Sequence, residues 1–79
     1  MDLKIYFSTV ADIEKFVDIV QEIPANMDLE YGNMSVDAKS FLGVCAIGTG
    51  KVITLKAYGE IQTRYITRLE ENHILYREE

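Results

Sequence analysis

The chain has 79 residues, enough for one packed core and no more. With 48% hydrophobic and 27% charged residues it has the composition of a folded globular domain, which excludes disorder as its main state. A net charge of −5 argues against a nucleic-acid binder, a single cysteine (Cys45) excludes a disulfide framework, and the longest apolar stretch, Phe41 to Ile47, has seven residues where a membrane span needs roughly 20.

In chain order, Leu3 to Phe7 is apolar and β-prone and reads as a first strand. Thr9-x-x-Asp12 has the form of a capping box, with Asp in place of the usual Glu or Gln. Val10, Ile13, Phe16, Val17, Val20 and Ile23 then recur at steps of three and four, one face of a helix running from Val10 to about Glu22. Pro24 ends it, because it cannot donate a helical hydrogen bond and disfavours the α conformation at Ile23. Met27 to Tyr31 and Met34 to Ala38 alternate apolar and polar around Gly32-Asn33, which predicts a hairpin.

Ser40 to Ile47 is short and mostly apolar. Ser40 is a good N-cap and Gly48 a good stop, so a short helix is expected, followed by a tight turn at Gly48-Thr49-Gly50. Val52 to Tyr58 reads as the last clear strand, with Ile53, Leu55 and Ala57 on one face. Ile61, Tyr65 and Leu69 share a face of a final helix from about Glu60 to Asn72. The tail from His73 to Glu79 reads either as an extension of that helix or as an added edge strand. The order is β-α-β-β-α-β-α, and one apolar face per strand predicts an α+β fold: an antiparallel sheet with its helices on one side. The whole chain, residues 1–79, reads as a single domain. Ile5, Phe7, Phe16, Val20, Leu29, Val36, Ile53, Leu55 and Leu69 are the expected core.

Charge is unevenly spread. Residues 1–38 carry a net −6, residues 39–68 a net +4 and residues 69–79 a net −3. The basic middle is either mixed into the surface on folding or gathered into a patch for an anionic partner. Candidate chemistry is sparse. His73 is the only histidine and lies near a helix C-terminus, where a positive imidazole is stabilised by the dipole. One histidine and one cysteine make a zinc site of the usual kind improbable, and no catalytic triad can be built. The turn ending in Lys51 lacks the spacing of a phosphate-binding loop. No catalytic residue, metal or cofactor is expected. Met1 to Thr9 lacks an apolar signal core, and with the lone cysteine this predicts a cytoplasmic protein.

The segment Val36-Asp37-Ala38-Lys39-Ser40-Phe41-Leu42-Gly43-Val44 resembles the regulatory-serine segment of HPr, the phosphocarrier of the bacterial sugar phosphotransferase system. The likeness continues through Ile47-Gly48-Thr49-Gly50 and the strand ending Ala57-Tyr58-Gly59, and the element order is also that of the family. It implies an HPr-like open-faced sandwich with a four-stranded antiparallel sheet. It further implies a regulatory phosphorylation site at Ser40, the position that HPr kinase/phosphorylase modifies in Gram-positive relatives. Lys39, Phe41, Leu42, Gly43 and Cys45 would serve partner docking. The family's phosphoryl-accepting segment, G-[IL]-H-A-R-P-A, is replaced by Ser8-Thr9-Val10-Ala11-Asp12-Ile13-Glu14, without histidine, arginine or proline. In that respect the chain is similar to the catabolite-repression HPr-like protein, which retains the regulatory serine alone. The implied function is a non-catalytic regulatory or binding module, monomeric or weakly dimeric, whose partner is an HPr kinase or a regulator rather than nucleic acid or membrane. Two alternatives stay open: a divergent phosphocarrier using His73, and a small dimerisation domain without phosphate chemistry.

Overall fold

The computed structural model describes residues 1–77. The order is β1 (Asp2–Tyr6), α1 (Val10–Gln21), β2 (Asn26–Tyr31), β3 (Met34–Asp37), α2 (Phe41–Ile47), β4 (Val52–Tyr58) and α3 (Thr63–Glu71). All strand pairs are antiparallel, in the spatial order β1-β4-β2-β3. Strand alternation sends Ile5, Met27, Leu29, Ile53, Leu55 and Ala57 to the helix side, where they are buried with Phe7, Phe16, Val20 and Leu69. Lys4, Asp28, Glu30, Thr54, Lys56 and Tyr58 alternate with them and face the other way. Of the expected core, Val36 alone is only partly buried, because β3 is the last strand of the sheet and has a neighbour on one side only.

The capping box forms as read from the sequence. The Asp12 N–H donates to Thr9 Oγ1 at 3.3 Å, and the Asp12 carboxylate accepts from the backbone N–H groups of Ser8 and Thr9 at 2.9 and 3.2 Å. The β2–β3 hairpin turns on Gly32 at φ +57°, a conformation that glycine adopts without steric cost. The expected final helix begins later than its apolar spacing suggested. Gln62 is extended (φ −65°, ψ 147°) and α3 starts at Thr63, so Ile61 is buried from the preceding loop rather than from the helix.

The tail takes the second of its two predicted forms. At the end of α3 the His73 N–H donates to the Glu70 carbonyl and the Ile74 N–H to the Leu69 carbonyl, both at 3.0 Å. These are the paired bonds of a Schellman motif, with His73 in the left-handed position at φ +58° and the apolar contact supplied by buried Ile74 and Leu69. The chain then reverses along β1: the Tyr6 N–H donates to the Ile74 carbonyl and the Tyr76 N–H to the Lys4 carbonyl, each at 2.8 Å. Glu78 and Glu79, the end of the predicted tail, lie outside the described residues.

Candidate functional site

Helix α2 is the element that the sequence singled out, and its placement is fixed at both ends. At its start the Gln21 amide donates to the Lys39 carbonyl, and the Lys39 ammonium donates to the Ile23 carbonyl just past α1, each at 2.6 Å. At its finish the Gly50 N–H donates to the Phe7 carbonyl at 2.8 Å, tying the following turn to the segment that enters α1. Helices α1 and α2 therefore lie side by side and antiparallel.

Ser40 caps α2. Its backbone is extended (φ −96°, ψ 110°), its hydroxyl accepts the Gly43 N–H at 3.2 Å, and its side chain is exposed. Gly43 faces β3. A Cβ built there would sit 3.3 Å from Ser40 Oγ and 3.4 Å from Val36 Cβ, so the missing side chain lets helix and strand approach. Val44 and Ile47 point into the core. The remaining positions leave the helix with an apolar outer surface. Leu42 is 80% exposed and Phe41 38% exposed, whereas adjacency alone required only one of the two to face outward. Leu42 and Ala46 share one row at i, i+4, and Phe41 and half-buried Cys45 share the row beside it. No charged side chain lies on α2, in contrast to α1, whose outer positions hold Glu14, Lys15 and Asp18.

The structure disperses the basic middle third rather than gathering it. Lys39 holds the α1 end, Lys51 donates to the Ile47 carbonyl at 2.8 Å and lies over the Tyr31 ring, and Lys56 lies over Tyr58. Arg64 bonds the Tyr65 hydroxyl, and Arg68 pairs with Glu22 at 2.8 Å. Lys39 is thus turned to the far end of α1, not to the Ser40 hydroxyl beside it in sequence. Of these cations, Lys39 and Lys51 meet carbonyl groups at the ends of α1 and α2.

At the start of α1, the Asp12 carboxylate accepts from the Ser8 and Thr9 N–H groups and places a negative charge beside the helix N-terminus. His73 is exposed at the end of α3. Because Ile74 pairs with Tyr6, His73 stands at the end of the sheet from which β1 leads into α1. The Tyr58 hydroxyl is raised above the usual tyrosine range, first by its 3.1 Å hydrogen bond to the Asp28 carboxylate and then by burial and the charge of Asp28; it lies on the sheet face away from the helices. Among the described residues no group of side chains is arranged to hold a metal ion, and no helix is long and apolar enough to cross a membrane.

Of the residues singled out in the sequence, Ser40, Phe41, Leu42 and Cys45 come together at the start and on the outer side of α2. Sequence reasoning missed the engagement of Lys39 with α1 and the exposure of Val10, the first residue of α1, at 55%. The Lys39 contact depends on the antiparallel docking of the two helices, which no local pattern encodes.

No protein-family model matches the chain, and no curated protein matches it. Among solved structures it is similar to the crystal structure of HPr-C-His from Thermoanaerobacter tengcongensis, with a TM-score of 0.71 and 23% identity over 90% of this chain and 88% of that one. The fold is the HPr-like open-faced sandwich, α+β, with a four-stranded antiparallel sheet in the order β-α-β-β-α-β-α.

Proposed function

We propose that this protein is a non-catalytic, cytoplasmic binding module related to the phosphotransferase system, which docks a protein partner on the outer face of α2 and is regulated by phosphorylation of Ser40. The observation that carries the reading is the 80% exposure of Leu42 on a helix without a charged residue, directly beside an exposed N-cap serine. A charge-free outer face on a short surface helix is what a protein interface supplies, and single solvated helices ordinarily lack it. A phosphate on Ser40 would add about −1.5 to −2 charges at the rim of that face. New charge there changes both the affinity and the choice of partner.

Two features argue against phosphoryl transfer through the start of α1. The family's histidine and arginine are absent from Ser8 to Glu14, and the Asp12 carboxylate, held by the Ser8 and Thr9 N–H groups, puts a negative charge at that point. A phosphoryl group there would meet a carboxylate in place of a guanidinium. His73 is the one histidine, at the same end of the sheet, and the arginine nearest to it in sequence, Arg77, is engaged by the Glu70 carboxylate at 2.7 Å.

The test is incubation with ATP and an HPr kinase/phosphorylase, read by mass spectrometry. The expected product is phosphoserine at Ser40, lost in Ser40→Ala. Unmodified Ser40 beside a fully modified HPr control would remove the regulatory part of the proposal.

A further inference from the structure

The sheet has two edges, and the described residues close one of them. The β1 edge is bonded by Ile74 and Tyr76 of the tail and covered by the Tyr6–Tyr76 ring pair, with centroids 6.3 Å apart. Among the described residues, the β3 edge has no strand beside it. A two-residue turn at Gly32-Asn33 makes Tyr31 and Met34 a hydrogen-bonded pair, so by alternation Leu29 and Val36 are bonded and Glu30 and Ser35 are not. The N–H and C=O of Ser35 and the N–H of Asp37 therefore point away from the sheet. The Asp37 carbonyl is already taken by the Ser40 N–H at 3.0 Å.

The charges on the solvated face are ordered across the strands. One cross-strand row reads Asp2, Lys56, Asp28, Asp37. It alternates in sign from β1 through β4 to β2 and then breaks, with two aspartates in register at the open edge, the Asp28 carboxylate accepting from the Tyr58 hydroxyl at 3.1 Å and the Asp37 carboxylate from the Lys39 N–H at 2.9 Å. Like charges in that relation are destabilising. The next row reads Lys4, Thr54, Glu30, Ser35, with its cation on β1, far from the open edge. Strands β2 and β3 carry three acids and no base.

We infer that the β3 edge receives an extended, basic segment of a partner protein, added as a fifth strand with a lysine or arginine opposite Asp37. Main-chain bonds to Ser35 and Asp37 supply the pairing, as in other additions to a free sheet edge. A cation opposite Asp37 restores the alternation of the row. Its flanking residues turn to the helix side beside half-buried Val36, and the next residue on that side meets exposed Met34. A second copy of this chain fits the edge less well, since it brings a net charge of −5 and another Asp37. This surface is separate from the outer face of α2 and does not depend on the role proposed for Ser40.

The experiment is titration of the ¹⁵N-labelled full chain with the peptide acetyl-Lys-Val-Lys-Val-Lys-Val-Lys-amide and with its glutamate counterpart. The expected result is slowed hydrogen exchange at the Ser35 and Asp37 amides with the lysine peptide alone. Asp37→Lys should weaken binding by about two- to fivefold, the size of one cross-strand charge pair, beyond any loss in the control Glu14→Lys, which makes the same charge change on α1. Ser35→Pro should abolish binding while the melting curve stays cooperative; Asp37→Lys serves alone if the proline variant does not fold. Equal binding of both peptides, or equal losses in Asp37→Lys and Glu14→Lys, would overturn the assignment. So would Ser35 and Asp37 amides already protected in a dimer without peptide.

Discussion

At the residue scale, Ser40 and His73 carry the sharpest expectations. Ser40 is exposed and its hydroxyl receives a helix N–H, so Ser40→Ala should cost about 1 kcal/mol. Ser40→Asp should stay within about 1 kcal/mol of the parent protein, because aspartate is as good an N-cap and meets the positive end of the helix. Thermal denaturation of the two variants checks this; strong destabilisation by Asp but not by Ala would mean a packed serine rather than an accessible one. His73 pays a steric cost at φ +58° that glycine would not, so His73→Gly should raise stability by about 1 kcal/mol in the same assay. Tyr58 is held above the usual tyrosine range first because its hydroxyl donates a hydrogen bond to the Asp28 carboxylate. Folding therefore favours the protonated phenol. That contribution is present below the unfolded value and is lost as pH rises through the folded one. Absorbance titration of tyrosinate should show Asp28→Asn shifting Tyr58 downward.

At the scale of elements, the parts legible in the sequence were those set by local chemistry. Thr9 and Asp12 announced the start of α1, Gly32-Asn33 the hairpin, and Ser40 with Gly48 the two ends of α2. Alternation at Ile53, Leu55 and Ala57 placed β4 correctly. Apolar spacing misplaced the start of α3, because a buried residue such as Ile61 reports its environment and not its backbone conformation. The tail was ambiguous for a related reason. Ile74, Leu75 and Tyr76 suit a helix or a strand equally, and the choice is made by a left-handed residue at His73 and by partners on β1, more than 60 positions away in the chain. Ile74 is fully buried as the closing residue of that motif. Ile74→Ala should therefore cost about 2–5 kcal/mol, as for a core isoleucine, and should speed hydrogen exchange at the Tyr6 amide.

At the scale of the whole molecule, one core on one side of a sheet leaves little reserve. A 79-residue domain is stable by roughly 4–12 kcal/mol. Leu55, central on β4 and fully buried, should lose about 2–5 kcal/mol on change to alanine, a large part of that total. The same architecture separates the surfaces. The apolar face of α2 lies on the helix side of the molecule, the acidic β3 edge lies at the margin of the sheet, and neither uses the start of α1. There the Asp12 carboxylate holds the Ser8 and Thr9 N–H groups. The account as a whole rests on the claim that this fold is used for binding without accepting a phosphoryl group on histidine. The most direct measurement is incubation with phosphoenolpyruvate and the general phosphotransferase enzyme, followed by intact-mass analysis, with a histidine-bearing HPr as the positive control. The account predicts an unchanged mass for this chain; an acid-labile phosphoryl group that disappears in His73→Ala would contradict it.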